Sequence, residues 1–566
     1  MTPRTRERER PSRLRAAAGA FATNWRNPLL RRAQAAFFGA WTAEWAVTVV
    51  LAVYAYDRGG AAEVGVVALV RVLPAAVVAP LATQYADRWP RERVLVAVSV
   101  IRSVLIAVAG WAMLADGPAL AVYALVTLSS TAGVLFRPVH SALLPSLCDN
   151  PRELAGANVV RGALDSAATL AGPALSAVLL ATGEPAQVLA VAALASAWAA
   201  VLMTRVHPQS PALGEAGDSE RLLDRTLGGV RAVHAQPDLR VLIALIGAQT
   251  FMRGTLTVFT VVVALELAGL GEAGVGVLNA AVGAGALIAS AAAALLVGTR
   301  NLAVWFGIGA ALWGAPLVVI GIIPSAATAM IMLAAVGAGN ALVDVGGFTL
   351  IARIAPGHVL ARVFGVLESV VALSVGLGAV LTPLVMDALG LRTALVVLGL
   401  LTPVAVALSS RRLRALDHVM GGRDEELALL RQVPLLDSLS LPALEAVARQ
   451  LDHVVVPSGE AVFRQGDPGD RFYIVVAGTA EVVGDGRTIT RLGPGESFGE
   501  IALLRRVPRT ATVRAVGDLR LESLTGDRFL AVMTGSPGGR AATTTHVDEM
   551  LNRFAPRPGT PSPPPV

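Results

Sequence analysis

Along most of this chain the apolar residues neither alternate nor keep to one face; they fill whole segments. From roughly residue 33 to residue 409, a near-continuous series of apolar runs is broken only by very short turns. A helix needs about 20 apolar residues to cross a bilayer. The runs predict twelve such spans, near 33–56, 62–85, 94–115, 118–138, 157–182, 185–205, 239–266, 272–297, 301–323, 325–350, 359–386 and 390–410. After Arg414 the pattern changes. Residues 415–433 are charged with helical spacing. From Val433 onward, alternating segments such as Arg471 to Val476 and Ala480 to Val483 are separated by glycine turns, as in short strands wound into a roll. Val547, Met550, Leu551 and Phe554 fall at i, i+3, i+4, i+7 and predict a closing amphipathic helix. The Pro-rich end, Pro556 to Pro564, reads as an unstructured tail.

Composition supports this division. Of 566 residues, 54% are hydrophobic and 16% charged, with a mean hydropathy of +0.62. A soluble chain carries roughly a quarter charged residues, so the chain reads as a polytopic membrane protein with a soluble end. The single cysteine, Cys148, excludes a disulfide framework and any multi-cysteine metal site. With no nucleophile–base pair, P-loop or metal cluster in the pattern, we expect neither an enzyme nor a resident cofactor or metal. The formal charge is +6, and every basic side chain other than histidine is arginine. The first 32 residues are Arg-rich and lack the apolar core and cleavage site of a signal peptide. That tail, the segment Arg88 to Arg93, the stretch 205–240 and Arg411 to Arg414 lie on one side of the predicted spans. Arginine in short loops marks the cytoplasmic face, so both termini are predicted to be cytoplasmic.

An internal repeat runs through the spans. Asn27-Pro28-Leu29-Leu30-Arg31 recurs as Gln236-Pro237-Asp238-Leu239-Arg240, Glu63 to Val66 as Glu272 to Val275, and Gly162 to Ser166 as Gly365 to Ser369. The common order, at a spacing of about 205 residues, predicts two six-helix halves of the same topology, with a substrate site between them. The loop Ala86-Asp87-Arg88-Trp89-Pro90-Arg91-Glu92-Arg93, the stretch Phe136-Arg137-Pro138 to Asn158, and Gly172-Pro173 in the fifth span resemble the major facilitator superfamily, in its branch of macrolide-efflux-like and secretion-effector-like exporters. In that family the first of these segments is a gating loop, which implies that role for Asp87, Arg88 and Arg91. The family has glycines where Thr83 and Pro90 stand here, and Ala168 and Ser176 replace the glycines that flank its Gly-Pro motif.

Ionisable residues inside spans are functional candidates, because each costs several kcal/mol unless paired or hydrated. Glu44 and Arg71 sit at similar depth in the first two spans, and Arg253 takes the place of Glu44 in the second half. These three are expected to line a central cavity. Glu44 and Arg71 form either a static ion pair or a proton-coupling or substrate-binding pair; on the latter reading, Glu44→Gln abolishes coupled transport without loss of folded protein. Asp165 and Glu368 occupy equivalent places in the two halves. They are expected to latch an inner gate against loop arginines such as Arg88 or Arg91, with a direct coupling role as the alternative. Arg102, Arg137 and Asp344 are expected to reach interfacial water by snorkelling.

In the soluble end, Gly459-Glu460, Gln465 to Asp470, Gly478, and above all Phe498-Gly499-Glu500-Ile501-Ala502-Leu503-Leu504 with Pro508-Arg509-Thr510-Ala511, are similar to cyclic-nucleotide-binding domains. The resemblance implies that Arg509 pairs with the cyclic phosphate, that Glu500 accepts a ribose hydroxyl, and that Thr510 and Ala511 border the phosphate or base. Thr510 tolerates guanine as well as adenine, so cyclic AMP and cyclic GMP both remain open as regulatory ligand.

The predicted architecture is a polytopic α-helical membrane protein with a C-terminal cytosolic β-roll. It comprises a basic tail (1–32), a six-helix half (33–205), an inter-half loop (206–238), a second half (239–413), a linker (414–433), a nucleotide-binding domain (434–555) and a Pro-rich tail (556–566). The expected function is secondary active transport in the cytoplasmic (inner) membrane: proton-coupled export of small amphipathic molecules, regulated by cyclic nucleotide. The alternatives are a non-transporting receptor or scaffold, and a transporter whose β-roll no longer binds nucleotide. Association through the β-roll stays open, and nucleic acid is not an expected partner. A nucleotide-gated channel is opposed by the absence of a voltage-sensor helix and filter sequence. A transcription factor is opposed by the absence of a helix-turn-helix pattern after the roll.

Overall fold

The structure of the protein, a computed structural model, describes residues 26–86, 89–148, 151–207, 230–296, 301–355, 360–436, 439, 444, 447–448 and 450–535. The chain divides into two compact units, Met1–Leu416 and Asp417–Val566.

The first unit is helical. Its helices are α1 (Pro28–Ala86), α2 (Arg91–Leu114), α3 (Ala119–Gly133), α4 (Phe136–Leu143), α5 (Pro151–Thr182), α6 (Pro185–Met203), α7 (Pro237–Val262), α8 (Gly271–Leu296), α9 (Leu302–Ala311), α10 (Ala315–Ile322), α11 (Ala326–Ile354), α12 (Leu360–Leu389), α13 (Leu391–Gly399) and α14 (Leu401–Leu430). The last of these continues past the unit boundary. Several starts follow from local chemistry. Pro185 and Pro237 open α6 and α7, where a missing N–H costs nothing. The Ser325 hydroxyl accepts the Thr328 N–H at 3.1 Å and caps α11.

Among the described residues, eleven helical stretches are long and apolar enough to cross a membrane. The sequence predicts twelve runs, and α1 accounts for the difference. It joins the first two across a kink at Gly59 and Gly60, whose backbone leaves the helical region (φ −140° and +62°). Only glycine takes the second value without strain.

Among the described residues, the most extensive packing between the first six predicted spans and the last six is of α5 on α8 and of α1 on α12. Both depend on missing side chains. A Cβ on Gly276 would lie 2.6 Å from the Ala177 nitrogen, and one on Gly283 would lie 2.6 Å from the Leu170 Cα. On the other crossing, Gly65 meets the Ala379 carbonyl and Gly376 meets the Leu69 side chain. Small residues at such points let helix backbones approach closely, which is how spans associate when lipid removes the hydrophobic drive. At α1's Tyr56, the phenol donates to Glu266 beyond the end of α7, a further tie between the two sets of spans.

The second unit is built on two four-stranded antiparallel sheets. The strands are β1 (Asp452–Val456), β2 (Ala461–Phe463), β3 (Arg471–Ala477), β4 (Ala480–Gly484), β5 (Arg487–Leu492), β6 (Ser497–Phe498), β7 (Thr512–Ala515) and β8 (Leu519–Thr525). One sheet has the order β1-β8-β3-β6 and the other β2-β7-β4-β5. Helix α15 (Glu500–Arg505) follows β6, and α16 (Gly526–Gly535) follows β8. Strand β3 shows how alternation builds two cores. Phe472 and Ile474 pack on the helical side, with Phe472 stacked on Phe529 at 4.6 Å, while Tyr473 and Val475 point into the roll beside Phe498, Val513 and Leu521. The predicted helix bearing Val547 to Phe554 and the Pro-rich tail lie outside the described residues, as do most of the basic tail and of the inter-half loop.

Candidate functional site

The helical unit holds two groups of charges. In the first, Glu44 of α1 is the acceptor at the centre. Arg71, further along the same helix, donates Nη2 to Glu44 Oε1, Nη1 to the Thr48 hydroxyl at 2.9 Å and Nε to the Ser130 hydroxyl at 2.7 Å. Arg102 of α2 donates Nη2 to Glu44 Oε2 at 2.6 Å. The pairing of Glu44 with Arg71 is therefore present, with a partner that sequence reasoning misplaced. Arg102 does not reach interfacial water. It is 1% exposed, its guanidinium lies against Gly133, and its Nε and Nη1 have no hydrogen-bond partner among the described residues. The signal available for Arg102 was the same as for Arg71, an arginine inside an apolar run. Its neighbour Ser99 is buried as well, so this face of α2 points into the bundle rather than towards lipid.

The second group is drawn from both sets of spans. Arg137 of α4 pairs with Asp165 of α5 at 2.7 Å. Arg253 of α7 is exposed and lies within electrostatic reach of Asp344 (α11), Arg137, Asp165 and Glu368 (α12). Asp344 accepts from the Asn340 amide at 2.9 Å and is itself exposed. Residues that are solvent-accessible, yet surrounded by charges from four other helices, line an opening inside the bundle rather than its lipid face. So Arg253 does not join Glu44 and Arg71; it joins Asp165 and Glu368. Among the described residues Asp165 meets Arg137, and Arg91 donates to the Ala142 carbonyl at 2.8 Å. Asp87 and Arg88 lie outside the described residues.

In the second unit the glycine-rich signature forms one compact turn. Phe498 of β6 is buried and stacks on Tyr473 at 5.2 Å. Gly499 follows with φ +92° and caps α15. A Cβ there would lie 2.7 Å from Arg509 Nη1, so both conformation and space require glycine. Ala502 packs on Gly469, Ile501 is half-buried, and the chain returns through Arg506 at φ +56°. The return limb is pinned where Arg509 N donates to Asp467 O at 2.8 Å and Gly466 N donates to Arg509 O at 2.9 Å.

Two polar side chains are buried at this turn. Arg509 is 2% exposed; it donates Nη1 to Gly499 O at 3.0 Å and Nη2 to Arg471 O at 2.8 Å, with Asp470 Oδ1 at 3.3 Å. Its guanidinium lies 4.1 Å from the Phe463 ring centroid, and its Nε has no hydrogen-bond partner among the described residues. Glu500 is 3% exposed and its Oε2 has no partner among the described residues. Burial pushes its carboxyl up to about 7, against the opposing pull of its own backbone N–H and of Arg509. Thr510 is exposed and Ala511 half-buried beside them. The turn thus presents an arginine and a carboxylate with unused hydrogen-bonding atoms, where leaving such atoms buried and unmade costs about 1–3 kcal/mol each. Phe463 and Tyr473, whose rings lie against Arg509, escaped the sequence reading as site residues because strands β2 and β3 bring them there from outside the signature.

Comparison with known proteins matches both units. Residues 453–536 match the cyclic nucleotide-binding domain family. This part is 39% identical over 123 residues to a cAMP-dependent protein kinase regulatory subunit of Blastocladiella emersonii, covering 21% of this chain and 30% of that protein. It is 38% identical over 109 residues to a cyclic nucleotide-gated potassium channel of Mesorhizobium japonicum, covering 19% of this chain and 30% of the channel. The chain thus spans about 30% of the length of these curated relatives. A solved structure of the regulatory domain of Toxoplasma gondii PKA with cAMP is 33% identical over 23% of this chain and 51% of that one, at a TM-score of 0.21. In the helical unit, residues 35–343, more than half of the chain, match the Major Facilitator Superfamily. The chain is a multi-pass membrane protein that belongs to the major facilitator superfamily and carries a C-terminal cyclic nucleotide-binding domain.

Proposed function

We propose that the protein is a secondary transporter of twelve spans in two six-helix halves, regulated by cyclic nucleotide at its C-terminal domain. Both termini face the cytoplasm, and the protein resides in the cytoplasmic membrane and exports a small molecule. Family membership supports transport, and the exposed charge group between the two sets of spans offers the substrate path. The observation that carries the regulatory half is the pairing of Arg509 and Glu500 at one turn, each buried and each with an unused polar atom. A cyclic phosphate competes with the Gly499 and Arg471 carbonyls for the Arg509 donors, forming a charge-assisted pair in their place. The ribose 2′-hydroxyl bonds to Glu500. Cyclic AMP is the first ligand to test, because the matched kinase subunits are named for it.

The test is calorimetric titration of cyclic AMP and cyclic GMP into the purified full-length protein. Micromolar binding that weakens at least tenfold in Arg509→Ala is expected. No binding by the unmodified chain at millimolar nucleotide overturns the regulatory reading and leaves the β-roll as an assembly element.

A further inference from the structure

Arg253 and Asp344 stand apart from the other charges of the bundle. Glu44 has both carboxylate oxygens engaged by guanidinium groups, and Asp165 is closed onto Arg137. Arg253 and Asp344 are close enough to interact electrostatically, yet among the described residues neither forms an ion pair. Both are exposed, and the Asn340 amide orients the Asp344 carboxylate. A cation on α7 therefore lies within electrostatic reach of an anion on α11, and both are solvent-accessible. The surrounding group is close to neutral, with Arg137, Arg161 and Arg253 set against Asp165, Asp344 and Glu368. A substrate with one net charge gains little from such a balanced field. A substrate with both charges satisfies both open partners at once.

We infer that the opening between the two sets of spans binds small zwitterions. The substrate carboxylate takes the Arg253 guanidinium in a two-point pair, the geometry that suits arginine. The substrate ammonium lies between Asp344 and Glu368. This rests on the transport reading for its physiological meaning, but binding can be measured apart from flux. It also narrows the sequence expectation of amphipathic compounds to those that carry a carboxylate and an amine together.

The experiment titrates neutral α-amino acids, dipeptides and glycine betaine into the full-length protein in detergent, following thermal unfolding. Each is paired with its amine and its carboxylate counterpart. Zwitterions are expected to raise the unfolding temperature, with the single-charge counterparts at least tenfold weaker. Arg253→Gln and Asp344→Asn should each weaken zwitterion binding at least tenfold; as a fold control, each must keep the wild-type unfolding temperature in the absence of ligand. If no zwitterion in the panel shifts unfolding, or single-charge counterparts bind equally well, the inference is overturned. Flux into vesicles separates it from the transport reading. Binding without flux sinks transport and keeps the site, whereas flux of a compound indifferent to both substitutions keeps transport and sinks the site.

Discussion

Glu500 ties the stability of the soluble unit to pH. Its carboxyl is pushed up from the usual carboxylate range to about 7 by burial. A group whose folded pKa is raised stabilises the fold fully below its unfolded pKa, and that contribution is lost as pH rises through the folded value. The unliganded domain should therefore lose up to roughly 3 kcal/mol between about pH 4.5 and pH 7 and then level off. Glu500→Gln removes this slope while keeping the side chain's shape. Hydrogen–deuterium exchange of β3 and β6 at pH 6 and pH 8, corrected for intrinsic rates, reads it in the full-length chain. A slope that survives the substitution places the titration elsewhere. Nucleotide adds a hydroxyl donor to the unpartnered Oε2 atom, so ligand should flatten the wild-type slope as well. The same scale decides Gly499. Alanine there meets both a positive φ and the Arg509 guanidinium at 2.7 Å. We expect Gly499→Ala to weaken cyclic AMP at least tenfold by calorimetry.

Arg102 changes what the Glu44 substitution does to helices α1 and α2. The sequence reading expects Glu44→Gln to spare the folded protein. With Arg102 1% exposed and held by Glu44, neutralising the carboxylate leaves two guanidiniums facing one another without an anion. Breaking a buried pair from one side costs about 3–5 kcal/mol. Glu44→Gln should therefore lower folded yield and unfolding temperature, and adding Arg102→Met should restore much of both. If Glu44→Gln alone keeps wild-type stability, the group is hydrated and free to titrate. Helix periodicity could not reveal this, because an arginine in an apolar run looks the same whether it snorkels or turns inward; the partner lies 58 residues away. The same limit explains Arg253. The repeat made it the counterpart of Glu44, but its electrostatic neighbours come from α4, α5, α11 and α12. By contrast, apolar runs are local features, and they made every long helix readable in advance. Only the kink at Gly59 and Gly60, where α1 carries two runs as one helix, altered the count. The cassette was legible for a related reason: Gly499 and Arg509 are 10 residues apart, so most of its geometry is written in one short segment.

Across the whole molecule, regulation requires that nucleotide bind one transporter state better than the other, and the coupling is then reciprocal. Helix α14 runs from Leu401 to Leu430 as one element. Its later residues Leu427 and Leu430 belong to the core of the nucleotide-binding unit, beside Val433 and Leu435. The sequence reading makes 414–433 a linker with helical spacing, and residues up to Leu430 are helical. Gly421 and Gly422 are the weak point, since each glycine costs a helix about 1 kcal/mol relative to alanine. Inserting Gly-Ser-Gly-Ser after Gly422 should leave the cyclic AMP dissociation constant within twofold of wild type, because the cassette is untouched. It should also leave basal flux in vesicles unchanged and abolish the effect of nucleotide on that flux. Gly421→Ala with Gly422→Ala should act in the opposite sense, keeping the nucleotide response and adding to helix stability. Should the insertion preserve the response, the signal does not pass along α14. Reciprocity then supplies the remaining check: in the wild-type chain, a saturating zwitterion must shift cyclic AMP affinity by the same factor as cyclic AMP shifts affinity for the zwitterion, and the insertion must bring both factors to one.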